Sequence, residues 1–108
     1  MGVEEQLQIA LRREGDRAVL ALDGELDMAS APLLASALDG AELAPDTMVV
    51  LDLQSLQFID STGLRAILSL RERCRESGRQ FAVTRGSPQV QRLLDITGVA
   101  GHLQTLTA

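Results

Sequence analysis

The residues best placed to do chemistry gather in one turn, Asp60-Ser61-Thr62-Gly63. Directly after it, Leu64, Ile67 and Leu68 recur at helical spacing and leave Arg65, Ser69 and Glu72 for the opposite face, so the turn opens a helix. The first backbone N–H groups of a helix lack intrahelical partners, and the side-chain oxygens of Ser, Thr and Asp satisfy them. Capping is therefore the minimum chemistry of this turn. Catalysis is not supported by the residues around it. A hydrolase elbow of the form Gly-x-Ser-x-Gly would need Gly where Ile59 stands. An aspartic protease needs two facing carboxylates, and Asp60-Ser61-Thr62-Gly63 has one residue more than its Asp-Thr-Gly. His102, after Gly101, reads as a loop residue, and Cys74 in the helix reads as a small buried hydrophobe. No His/Cys cluster offers a metal site, and no Gly-x-x-x-x-Gly-Lys-Ser/Thr loop offers a nucleotide site. No cofactor is expected.

The elements that must position the turn follow from periodicity. Leu7, Ile9 and Leu11 alternate with polar or small residues as a strand with one buried face, and Arg17 to Asp23 forms a second strand after Glu14-Gly15-Asp16, making an antiparallel hairpin. Gly24-Glu25-Leu26-Asp27 is expected to leave that strand. Ser30 and Pro32 mark a helix start, with Leu33, Leu34, Ala37, Leu38 and Ala41 as its buried stripe, and Ala44-Pro45-Asp46 ends it. Met48-Val49-Val50-Leu51 begins a strand over 48–53 buried on both faces, the one expected to deliver the turn. The following helix runs from near Thr62 to Ser77, with Gly78 as its stop. Gln80 to Thr84 is another strand, Ser87-Pro88 starts a helix that Thr97-Gly98 closes, and Leu103 to Leu106 is a short last strand. The order ββαβαβαβ predicts an α/β fold with a mixed β-sheet and its helices mainly on one side.

Size and composition narrow the classes further. At 108 residues, with 45% hydrophobic and 23% charged residues, the chain is expected to be a single globular domain over 1–108. Aromatic residues make up only 2%, so the core is aliphatic. A net charge of −5, with no basic stripe interleaved with aromatics, argues against nucleic acid as a direct partner. All ten cations are Arg. The acidic start lacks the flank and apolar core of an export signal, and no apolar run nears the ~18 residues of a membrane span, so a cytoplasmic protein without a membrane partner is expected. The single Cys74 is compatible with a reducing compartment.

Three segments together carry a family resemblance: Gly24-Glu25-Leu26-Asp27; Leu51-Asp52-Leu53 through Phe58-Ile59-Asp60-Ser61-Thr62-Gly63-Leu64; and Ser87-Pro88-Gln89-Val90-Gln91-Arg92-Leu93-Leu94-Asp95-Ile96-Thr97-Gly98. In this order and over essentially the whole chain they resemble a STAS domain, and within that family the bacterial anti-sigma factor antagonists. The resemblance implies a partner switch. The unphosphorylated form binds an anti-sigma factor, itself an ATP-dependent kinase, and releases a sigma factor; phosphorylation of the Ser after the Asp of the turn, here Ser61, ends the binding, and a phosphatase resets it. Register with the family motif selects Ser61, whereas chemistry alone leaves the neighbouring Thr62 as a second acceptor. Gly24, Glu25, Asp27, Asp60, Ser61, Thr62, Gly63 and Leu64 are the implied partner-binding residues. For Asp27 and Asp60 a purely local turn role stays open beside this one. Many family members continue into a further C-terminal helix, whose contacts are not carried over. The other class left open is a STAS scaffold or adaptor subunit, in a signalling or lipid-transport complex, without a kinase partner.

The physics of such a switch is simple. Phosphate adds roughly −1.5 to −2 charges. A helix N-terminus favours an anion by ~0.3–1 kcal/mol, so the fold should tolerate it. At a packed interface the same dianion, with Asp60 adjacent, meets like charge and loses hydration, which can cost several kcal/mol.

Overall fold

The computed structural model describes residues 6–106. The start of the chain up to Glu5, read above as lacking an export signal, lies outside the described residues. Strands β1 (Leu7–Glu14) and β2 (Arg17–Leu26) form the expected hairpin, closed by Gly15-Asp16. Gly15, at φ 62, supplies the left-handed backbone that a two-residue hairpin turn requires. Helix α1 (Ala31–Gly40), strand β3 (Met48–Asp52), strand β4 (Leu56–Ile59), helix α2 (Ser61–Glu76), strand β5 (Phe81–Thr84) and helix α3 (Pro88–Ile96) follow. A 3-10 turn at Val99–His102 and strand β6 (Thr105–Leu106) complete the order.

The sheet runs β1-β2-β3-β5-β6, antiparallel in the hairpin and parallel from β2 onward, so it is mixed as expected. Register aligns Leu20 with Leu51 and Leu51 with Val83 on the face toward the helices. Leu34 of α1, Leu64, Ile67, Leu70 and Cys74 of α2, and Val90 and Leu94 of α3 join these strand residues in one aliphatic core. In register on the opposite face, Val19, Val50 and Ala82 lie between the charged ends of the strands, where Arg12 reaches Asp52 at 3.8 Å. Among the described residues no helix is long and apolar enough to cross a membrane.

Three features depart from expectation. β4 is an added strand, so the observed order is ββαββαβαβ, and the turn at residue 60 is delivered by β4 rather than by the strand beginning at Met48. β4 pairs in parallel with the far half of β2, which therefore continues through Gly24-Glu25-Leu26 instead of leaving the sheet at Asp23. A register shift between Gly24 and Glu25 breaks the alternation, and β4 is buried only at its two ends, a pattern without the period of two that marks a strand.

Second, α1 is turned so that Leu34 and Ala41 are buried while Leu33, one residue and about 100° away on a helix, is 43% exposed. Third, Ser30 and Ser87 occupy the N-cap positions of α1 and α3, but their hydroxyls donate elsewhere, to the Glu25 carbonyl at 2.8 Å and the Leu56 carbonyl at 2.8 Å. They tie helix starts to β2 and to β4. The stop of α2 is as expected. Gly78 at φ 71 lets its N–H bond the Arg75 carbonyl at 3.0 Å while the Arg79 N–H reaches the Cys74 carbonyl at 2.8 Å.

Gly24 fixes how β2 passes the beginning of β1. Its φ is 115, and a Cβ built on it would lie 2.0 Å from the Gln6 carbonyl oxygen. That same oxygen accepts the Glu25 N–H at 2.8 Å. Gly24→Ala should therefore destabilise the fold by about 3 kcal/mol, combining left-handed strain with a backbone clash. Urea unfolding checks this as a lower midpoint with an unchanged slope.

Candidate functional site: two capped turns and a free hydroxyl

The ends of β2 and β4 carry the site. Leu26 and Ile59 are register partners, so the residues that follow them, Asp27 and Asp60, leave the sheet side by side. The two turns are then fastened directly, because the Asp60 N–H donates to the Leu26 carbonyl at 3.2 Å. Gly63 permits this. A Cβ there would sit 2.4 Å from the Leu26 carbonyl oxygen and 2.8 Å from Ile59 Cγ1, so only Gly allows the first turn of α2 to lie against the end of β2.

Each carboxylate holds its own turn. Asp27 Oδ1 accepts from the Ala29 N–H at 3.0 Å and the Ser30 N–H at 3.1 Å, and its carbonyl accepts from the Ala31 N–H at 2.8 Å. Its own N–H donates to Ser30 Oγ at 3.0 Å. Asp60 is the N-cap of α2, with an extended backbone and with Oδ1 accepting the Gly63 N–H at 2.9 Å. The capping roles left open for both Asp residues are thus occupied, each through Oδ1.

Ser61 is left free by this arrangement. It is the first residue of α2 and exposed, and no hydrogen bond among the described residues engages its hydroxyl. The cap that Ser61 could have formed is made by Asp60 instead. Thr62, one residue on, is half-buried, and its hydroxyl is likewise unengaged among the described residues.

The residues singled out by sequence therefore divide by what the backbone does with them. Gly24, Gly63 and the buried Leu64 shape the site from beneath; Glu25 and Ser61 are exposed, and Asp27, Asp60 and Thr62 are half-buried at its surface. Sequence reasoning missed two surface residues here. Met28, directly after Asp27, is 74% exposed, and Phe58, the register partner of Glu25, is 45% exposed. Met28 was detectable as an apolar residue inside a turn of polar and small ones; Phe58 was hidden by the broken alternation of β4. His102 lies exposed in the 3-10 turn.

Cys74 is 1% exposed in the core, and burial pushes its thiol above the ordinary range, with Arg79 and Arg73 pulling the other way. It is a packed hydrophobe, not an activated nucleophile.

Two predictions separate these roles. Asp60→Ala should cost about 1 kcal/mol through the lost cap, whereas Ser61→Ala should change stability by less than ~0.5 kcal/mol, as measured by urea unfolding. The chain has no Tyr and no Lys, so Cys74 is the side chain to watch in mild alkali. Its raised folded pKa means that the folded state keeps a proton the unfolded state releases. That stabilisation is complete below the unfolded thiol pKa of about 8.5 and is lost as pH rises through the folded value. Unfolding free energy should fall as pH rises above about 8.5, by at most about 1.4 kcal/mol per pH unit, and Cys74→Ala should flatten the slope.

Comparison with known proteins places the chain in a family. The chain is 34% identical, over 94 residues, to the anti-sigma F factor antagonist of Paenibacillus polymyxa, spanning 86% of this chain and 80% of that one. An anti-sigma factor antagonist from Mycobacterium paratuberculosis has the same fold at a TM-score of 0.80 and 23% identity, covering 100% of this chain and 92% of that one. The anti-sigma factor antagonist SpoIIAA in its unphosphorylated form overlays at 0.73 and 19% identity, covering 93% and 89%. At those identities the two structures speak for the fold alone, while the STAS domain pattern itself matches residues 8–107. With its hairpin, its parallel strands and the glycine-packed turn at the head of α2, the chain belongs to the STAS domain family.

Proposed function

We propose that this protein is an anti-sigma factor antagonist: its unphosphorylated form binds an anti-sigma factor kinase through the surface around Asp27, Asp60 and Ser61, and phosphorylation of Ser61 switches the binding off. The observation that carries the reading is the division of labour at the head of α2. Asp60 takes the cap, so the Ser61 hydroxyl stands exposed and unbonded among the described residues. A kinase needs a hydroxyl it can reach without unfolding the helix, and this one meets that condition. Thr62 is less accessible, which agrees with Ser61 as the acceptor.

The chemical step is transfer of the γ-phosphoryl group of ATP from the partner to Ser61 Oγ, with loss of the hydroxyl proton and release of ADP. The resulting dianion lies at a helix N-terminus, which favours it by ~0.3–1 kcal/mol. It also follows Asp60 directly, and Asp27 leaves the sheet beside Asp60; the second oxygens of both carboxylates accept no hydrogen bond among the described residues. At a packed interface this concentration of like charge, together with lost hydration, acts against binding far more strongly than it acts on the fold. A relative named anti-sigma F factor antagonist supports the same partner class.

The test is to mix the purified protein with the ATPase-type anti-sigma factors of its own genome in the presence of Mg-ATP, and to locate phosphate by mass spectrometry. Phosphate is expected on Ser61 with loss of the complex. Ser61→Asp should bind about a hundredfold more weakly, equivalent to ~2.7 kcal/mol, and Ser61→Ala should bind persistently with unchanged unfolding. Absence of phosphate and of binding with every candidate overturns the reading in favour of a STAS scaffold or adaptor.

A further inference from the structure

The peptide unit between Leu26 and Asp27 is held on both sides. Its carbonyl accepts the Asp60 N–H at 3.2 Å, and its N–H donates to Ser30 Oγ at 3.0 Å. A peptide unit is planar, so a rotation that weakens one of these bonds turns the other away as well. The same Ser30 hydroxyl donates to the Glu25 carbonyl at 2.8 Å, which belongs to the preceding peptide unit. One side chain thus grips the backbone on both sides of Leu26, the residue whose carbonyl holds the head of α2.

Ser30 is 4% exposed, and among the described residues it and Gln91 are the polar residues that the fold buries. Its backbone N–H donates to Asp27 Oδ1 at 3.1 Å while its hydroxyl accepts the Asp27 N–H, a reciprocal exchange of the capping-box kind. Gln91 makes a comparable pair of bonds, from the Gly86 N–H at 2.9 Å and to Asp95 Oδ1 at 3.0 Å, and both partners lie outside the acidic turns. Of these two buried polar side chains, Ser30 is the one that connects the turn at Asp27 to the turn at Asp60. Removing its hydroxyl takes a bond from each of two peptide units and loosens the plane whose carbonyl fastens α2.

We infer that Ser30 is a positioning residue for Ser61: it sets the Leu26–Asp27 peptide plane, that plane holds the Asp60 N–H, and Asp60 fixes where α2 presents the Ser61 hydroxyl to a kinase. This rests on the function proposed above and deepens it, since it names a buried residue that governs the site through the backbone.

The test uses the full chain and compares Ser30→Ala, Ser30→Cys and Ser30→Thr with Gln91→Ala, which removes the other buried polar side chain, at a temperature where each variant is folded. The first measurement needs no partner. It is amide hydrogen exchange at Asp27 and Asp60 relative to Leu51 in the buried strand β3. Ser30→Ala should speed exchange at Asp27 and Asp60 about tenfold relative to Leu51, Ser30→Thr, which keeps the hydroxyl, by less than about twofold, and Gln91→Ala should change all three amides in step. The second measurement is phosphoryl transfer to Ser61 from the anti-sigma factor. Here Ser30→Ala should lower kcat/KM about tenfold, while Ser30→Thr and Gln91→Ala stay within about twofold of the wild type. Ser30→Cys keeps the shape with a weak donor and acceptor, so it should fall between Ala and Thr, and it carries the test if Ser30→Ala does not fold. A hydroxyl that only stabilises the fold would place Ser30→Ala beside Gln91→Ala in both measurements, and that result overturns the inference while the proposed function stands. If the wild type takes phosphate from no anti-sigma factor, the proposed function fails and the inference fails with it, even where the exchange rates separate.

Discussion

The site depends on one close approach, that of the Leu26 carbonyl to the first turn of α2. This oxygen accepts the Asp60 N–H and lies where any Cβ on residue 63 would have to be. The consequences run outward from there. Because Gly63 admits the contact, α2 begins immediately at the end of β4 with no intervening loop, and because Leu26 pairs with Ile59, the two acidic turns leave the sheet together. The Leu26 side chain is fully buried in the aliphatic core while its backbone holds the site. A single residue thus couples packing to the position of the surface groups, so the geometry of the site is as rigid as the core beneath it.

Much of the fold could be read from the sequence because its strongest signals are physical constraints that act locally. The hairpin followed from alternation around Gly15, the stop of α2 from Gly78, and the parallel sheet from strands separated by helices. β4 could not be read in the same way. Its four residues are buried at the ends and exposed in the middle, since a register shift lets β2 pass from one parallel partner to another, and that shift is a property of the pairing rather than of either segment alone. The same cause hid the extension of β2 through Leu26 and the exposure of Phe58. The bonds made by the serine hydroxyls at the starts of α1 and α3 could not be read for a related reason. A Ser before a helix can cap it or can bond a carbonyl of a distant strand, and only tertiary structure decides between them.

The site was legible as a group of residues but not as a set of roles. Sequence alone gives Asp60, Ser61 and Thr62 as three interchangeable capping oxygens. The structure separates them: the extended backbone at Asp60 aims its carboxylate at the Gly63 N–H, and Ser61 enters the helix as its first residue. Asp27 undergoes the same assignment within its own turn, where two N–H groups claim one oxygen. Both acidic residues are therefore structural and electrostatic at once. They order the backbone through one oxygen and leave negative charge at the surface through the other.

In the function proposed above, that double role makes a covalent charge at Ser61 act on binding rather than on stability. Had Ser61 been the cap, phosphorylation would have removed a bond worth about 1 kcal/mol and disturbed the start of α2. With Asp60 as the cap, the helix keeps that bond, and the N-terminal dipole favours the new anion by a fraction of the same amount. Beneath the turn, Gly63 lies against Leu26 and Leu64 belongs to the aliphatic cluster, while Ser61 is exposed. Against a partner surface the balance reverses. There the dianion and two half-engaged carboxylates would all have to lose water together, and the several kcal/mol this can cost exceed anything the helix dipole returns. A switch built in this way changes its affinity without changing its shape.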